Sequence, residues 1–199
     1  MDVMLSAFLS FIATNIDYLL ILILLFAEYR KKSKVLSISI GYLIGLTLLI
    51  AASYFIGYST TFIDNRWIGL LGFIPIYLGL KTWFKQSDHC DDESDEIIKK
   101  VSKHSRFIVG IIILTIATGA DNLGVYIPYF ATLTTTDSLI AIVIFYILAI
   151  LLIILTYFLS KLKVITSIFE KIEHILVPLV FIGLGFMILI ENGTLVLPF

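Results

Sequence analysis

Six apolar runs, at residues 3–27, 35–59, 67–84, 107–130, 138–160 and 174–190, divide a sequence of 199 residues. A helix rises about 1.5 Å per residue and a bilayer core is about 30 Å thick, so each run is long enough, or nearly so, to cross. Soluble domains carry roughly 25% charged residues. This chain has 15%, against 59% hydrophobic residues and a mean hydropathy of +1.04, which excludes an ordinary soluble enzyme. The expected fold is an all-α integral membrane protein with six transmembrane helices, a single transmembrane domain over 1–199. Pro75 and Pro178 lie in the two shortest runs and predict bends there. No GxxxxGKS or GxxxxGKT phosphate loop and no HExxH metalloprotease motif occurs, so neither an ATPase nor a metalloenzyme is expected, and no cofactor.

The basic residues set the orientation. Arg30, Lys31, Lys32 and Lys34 follow the first run; Lys81, Lys85, Lys99, Lys100, Lys103 and Arg106 cluster around the third connection; Lys161, Lys163 and Lys171 fill the fifth. The remaining connections and both termini hold only Arg66. By the positive-inside rule the odd-numbered connections are cytoplasmic and both termini lie outside. The first run is preceded by Met1-Asp2 and followed by its positive charge, the reverse of a cleaved signal, so it is expected to remain as a span. The third connection, 85–106, is the one long loop; its acidic start holds His89 and Cys90, and from Ser94 it predicts a short amphipathic helix. Cys90 is the only cysteine, which excludes an internal disulfide.

An offset of 104 residues aligns Ala13-Thr14-Asn15-Ile16-Asp17 with Ala117-Thr118-Gly119-Ala120-Asp121, Tyr42 with Tyr146, and Tyr77-Leu78-Gly79-Leu80 with Phe181-Ile182-Gly183-Leu184. The chain therefore reads as two three-helix repeats, 1–84 and 107–199, joined by the 85–106 loop. An odd number of crossings in each half inverts one half relative to the other, a 3+3 inverted-topology repeat of the transporter kind. Asp17 and Asp121 each fall roughly 20 Å into their spans, near the bilayer middle. A charged Asp there costs about 2.5–3.5 kcal/mol, and intramembrane acids mark ion or proton paths.

Thr14 and Thr118 lie three residues before the acids and share their helix face. Asn15 joins that face only if the helix is locally unwound; Gly119 eases such unwinding in the second half, and Pro128 frees the carbonyl of Gly124. Asp17, Asp121, Asn15, Asn122, Thr14 and Thr118 then make an oxygen-rich set suited to a divalent cation. Metal and protons compete for the two carboxylates, so binding M²⁺ releases protons. Exchange of two protons for one divalent ion is electroneutral, whereas moving two positive charges outward against 100 mV costs about 4.6 kcal/mol. The plainer alternative makes the Asn and Thr side chains interhelical hydrogen-bonding groups, with Tyr18 and Tyr126 as packing. Gly41, Gly45, Gly79 and Gly183 read as points of close helix contact.

The Ala-Thr-Asn-Ile-Asp-Tyr of the first run, the Ala-Thr-Gly-Ala-Asp-Asn-Leu-Gly-Val-Tyr-Ile-Pro of the fourth and the six-span layout resemble the CadD-like cadmium resistance transporters of the lysine-exporter-like superfamily. The resemblance covers essentially the whole chain. It implies a multi-pass protein of the bacterial plasma membrane that exports Cd²⁺, with Zn²⁺ a secondary substrate, the lipid bilayer as its medium and no nucleic-acid partner. No run contains Cys, so either a Cd²⁺ ion of Ca²⁺-like size is held by oxygen alone or the cargo is a harder ion. Two other readings fit the same sequence: an exporter of a small organic cation or amino acid, and a non-transporting membrane metal sensor working through the 89–93 loop.

Overall fold

The computed structural model describes residues 3–59, 70–71, 73–84, 107–161, 179, 181–186 and 188–190, with the side chains of Asp17, Gly79, Thr82 and Phe84 outside that description. The elements are α1 (Val3–Glu28), α2 (Lys32–Ser59), α3 (Phe73–Phe84), α4 (Phe107–Thr118), α5 (Leu123–Thr132) and α6 (Thr135–Leu159), followed by a short apolar helix, α7 (Phe181–Ile190). Among the described residues there is no strand. Helices α2 and α6 are each long and apolar enough to cross a membrane; with α1 and the α4–α5 pair taken as bent spans, four crossings are met. The fourth run, expected as one span, is two helices meeting at 71° across 119–122. The third and sixth runs are described only in part, and the 85–106 loop, with His89 and Cys90, lies outside the described residues.

Local chemistry accounts for where the helices stop and start. Thr134, in extended conformation, caps α6: its hydroxyl accepts from the Asp137 backbone N–H at 3.2 Å and donates to Asp137 Oδ2 at 2.7 Å. An acid in the first turn also complements the helix dipole. Pro128 sits inside α5, only ten residues long, where it removes a backbone donor.

Packing divides the helices into two long pairs, α1 against α6 and α2 against α4 and α5. On α6 the small residues Ala141 and Ala149 flank Phe145, and all three are wholly buried. Phe145 lies at the centre of a ring cluster, with Phe11, Tyr126, Tyr129 and Phe130 at centroid distances of 5.7, 5.0, 6.2 and 6.0 Å. The other face of α6 exposes Leu139, Val143, Ile147, Ile150, Ile154 and Phe158. Inside, by contrast, lie Ser6, Ser10, Thr14, Asn15, Ser53, Thr115, Asn122, Ser138 and Thr156. Apolar residues outside and polar residues within suit a chain whose solvent is lipid, where helices associate through small residues and interhelical hydrogen bonds.

Helix α2 approaches its neighbours through glycine. A Cβ on Gly41 would lie 2.7 Å from Ile111 Cγ2, and one on Gly45 would lie 2.5 Å from Thr115 Cβ. Both contacts are with α4, as the Gly-x-x-x-Gly spacing predicts. Gly57 makes the same approach to the α5 backbone, 2.9 Å from the Ile127 carbonyl. Gly183 corrects the expectation: a Cβ there would meet nothing within 4 Å, so no close contact forms at it among the described residues. Gly45→Ala should therefore push α2 off α4 and lower stability by about 1–3 kcal/mol. Gly183→Ala should leave stability unchanged or raise it slightly. Unfolding of both variants in mixed micelles, monitored by circular dichroism, checks the contrast.

Candidate functional site

The two acid motifs lie at the two bends of the structure. The axis of α1 turns by 54° between Val3–Ile16 and Tyr18–Glu28, with Asp17 at the junction, and the 71° break between α4 and α5 contains Asp121. Shifting α1 by 104 residues carries its last residue, Glu28, onto Thr132, the last of α5. The equivalence read from sequence is thus also an equivalence of bend positions and of the helix end that follows each bend. Irregular backbone at membrane depth is tolerated where protein surrounds it or it lines a cavity. Around 119–122 short-range bonds close the break: Asn122 N–H donates to the Gly119 carbonyl at 3.2 Å and Gly124 N–H to the Asp121 carbonyl at 2.9 Å.

A knot of buried side chains links the first motif to the second. Thr14 Oγ1 lies 2.6 Å from the Tyr126 hydroxyl. Asn15 Nδ2 donates to the same hydroxyl at 2.9 Å, to Thr14 Oγ1 at 3.0 Å and to the Phe11 carbonyl at 3.0 Å. On its other side Asn15 Oδ1 accepts from the Tyr42 hydroxyl at 2.9 Å. The Tyr42 ring stacks on Tyr18 at 4.8 Å, and the Tyr18 hydroxyl makes a short bond to Thr115 Oγ1. Thr115 is the residue against which Gly45 packs, so the close approach of α2 and α4 sets the position of the Tyr18 partner.

Thr14 and Asn15 come together within this knot, their polar atoms engaged by tyrosines. Asn122 is buried at the start of α5, and its side chain caps no helix N–H there. Thr118 is half-buried, and Asp121 is exposed at the break, its carboxylate within electrostatic range of the Tyr126 hydroxyl. The Asp17 side chain lies outside the described residues. Among those described, no three His, Cys, Asp or Glu side chains form a group able to hold a metal ion. The side-chain groups that the two motifs contribute here are carboxylate, amide and hydroxyl.

Reading Tyr126 as packing misses half its role. Its ring does pack on Phe145, and its hydroxyl also joins the two motifs; Tyr42 and Tyr18 behave in the same way. The signal was available, because a tyrosine buried in an apolar run brings a hydroxyl that needs a partner. The pairing of Tyr42 with Tyr146 does not extend to their bonds. Tyr146 meets Thr47 at 2.8 Å, since the position equivalent to Asn15 is Gly119, which has no side chain to accept.

A family model described as cadmium resistance transporter matches residues 11–197, a stretch that contains both bends and the whole hydroxyl knot. Neither a curated protein nor a solved structure matches the chain.

Tyr126→Phe keeps the ring and removes the hydroxyl shared by Thr14 and Asn15. It should cost about 1–3 kcal/mol, because two buried polar groups lose a partner. A double-mutant cycle of Tyr126→Phe with Asn15→Ala, read by unfolding in mixed micelles, should return a coupling of about 1 kcal/mol.

Proposed function

Because the chain belongs to the cadmium resistance transporter family, we propose that it exports Cd²⁺, with Zn²⁺ as a secondary cargo, across the bacterial plasma membrane in exchange for protons. The family is one of cadmium resistance transporters, and the exposed apolar helices of this chain suit a membrane protein. In this reading six spans form two inverted halves, 1–84 and 107–199, joined by a cytoplasmic 85–106 loop, with both termini outside. The exchange of helix pairs supports it. The 104-residue shift carries α1 onto α4–α5 and α2 onto α6, and so turns the α2 pair with α4–α5 into the α6 pair with α1.

The observation that carries the proposal is the placing of Asp17 and Asp121 at equivalent bends, 54° and 71°, with Tyr126 bridging from one motif to the other. Asp17 and Asp121 bind the ion and exchange it for protons. Asn122 and Thr118 complete the shell from the second half. Thr14 and Asn15 complete it from the first, once their bonds to Tyr126 and Tyr42 open. Oxygen donors hold Cd²⁺ less tightly than thiolates would, and a transport site must let go.

Asp17→Asn and Asp121→Asn, each in protein that still reaches the membrane, should lower Cd²⁺ flux into inverted vesicles more than roughly tenfold and abolish cadmium tolerance. Wild-type flux in both variants would place the ion elsewhere. In wild-type vesicles, dissipating the proton gradient should slow Cd²⁺ uptake; an unchanged rate removes proton exchange and leaves the binding site standing.

A further inference from the structure

Helix α1 carries hydroxyls at four-residue spacing, Ser6, Ser10 and Thr14, and all three are buried. The two outer members meet tyrosines of α5. Ser6 Oγ lies 3.2 Å from the Tyr129 hydroxyl and Thr14 Oγ1 lies 2.6 Å from that of Tyr126. The middle member differs. Ser10 is 0% exposed, and its Oγ is the one buried side-chain oxygen or nitrogen without a hydrogen-bond partner among the described residues. An unpaired buried hydroxyl destabilises a protein, and alanine at the same position would remove the cost. Packing alone gives this position no reason to be serine.

The spacing suggests what the hydroxyl serves. Four helical residues rise about 6 Å, the length of two hydrogen bonds placed end to end, so a single water admitted between neighbours would join the three hydroxyls into a file. Every oxygen in that file is neutral, which makes it a poor route for a divalent ion stripped of water. A proton has no such difficulty. It passes along hydroxyls and water by making one O–H bond for each one broken, and leaves no charge behind. The file begins at the N-terminal end of α1, which the basic residues place outside, and ends at Thr14, three residues before Asp17. Among the described residues, Tyr126 and Tyr129 of α5 are titratable side chains that meet it.

We propose that Ser6, Ser10 and Thr14 form the path by which protons travel between the outer face and the acid motif, with Ser10 as its obligatory middle step. The inference rests on the proton-exchange reading above. It is tested with the full chain in liposomes that contain a trapped pH dye, using a Cd²⁺ gradient to drive proton movement. Ser10→Ala should melt at the same temperature as wild type or higher, bind Cd²⁺ with unchanged affinity and move protons roughly tenfold more slowly. Ser10→Thr, which retains the hydroxyl, should move them faster than the isosteric Ser10→Val. A Ser10→Ala protein that moves protons at the wild-type rate overturns the path alone. One that melts lower shows a structural hydroxyl and also overturns it. Wild-type protein that moves no protons in response to Cd²⁺ overturns the exchange reading, and the path falls with it.

Discussion

One hydroxyl, that of Tyr126, holds the two acid motifs in register. In a medium without water an amide must find all its hydrogen bonds within the protein, and Asn15 finds them on three helices: α1 itself, Tyr126 of α5 and Tyr42 of α2. The position of α1 at its bend is therefore tied to α5 and α2. Those elements are placed in turn by close packing, α2 by Gly41, Gly45 and Gly57 against α4 and α5, and α5 by Tyr126 and Tyr129 against Phe145. Glycine sets the distance between helices and tyrosine hydroxyls set their register. Each device would fail without the other.

The two bends are built by different means. In the first half the polar side chains of Thr14 and Asn15 brace the turn through tyrosines. In the second, the position of Asn15 is taken by Gly119, and a Cβ there would lie 2.5 Å from Leu49 Cδ1. Close packing replaces polar bracing, and the equivalent tyrosine, Tyr146, turns to Thr47 instead. What the two share is a bend at positions 104 residues apart. The surroundings differ correspondingly: Thr14 and Asn15 are buried, while Asp121 is exposed. Halves that rock about a shared site are unequal in any one state, so this inequality agrees with the transport reading.

Much of this was legible in the sequence, and the failures have physical causes. The helix ends at Glu28, Lys32, Thr132, Thr135 and Leu159 fall within three residues of the ends of the apolar runs, because hydrophobic length is dictated by the medium. The break at 119–122 was signalled by Gly119 and Pro128. The bend at Asp17 had no such marker: α1 contains neither glycine nor proline, and the turn coincides with a cluster of polar side chains whose partners lie more than 25 residues away in sequence. Local pattern does not encode partners that distant. The tyrosine hydroxyls are hard to read for the same reason, since a ring advertises packing and its hydroxyl becomes informative only once a neighbour is known. Gly41 and Gly45 read correctly and Gly183 did not, because small size permits a close approach without supplying the helix that makes it.

The number of acids bears on the proposed exchange more than their kind does. Two carboxylates loaded with one divalent cation make a neutral site, and two carboxylates carrying two protons make another. A helix bundle that rocks between faces then moves no net charge in either direction, so the membrane potential neither drives nor opposes either half of the cycle. A third carboxylate would leave the loaded site negative and hold the ion more tightly. A thiolate would do so more strongly still for a soft metal. The apolar runs contain no cysteine, and among the described residues no three His, Cys, Asp or Glu side chains gather into one group. On this reading, a site poor in the ligands that cadmium prefers is a requirement of export, because affinity beyond what two protons can displace would turn a carrier into a trap.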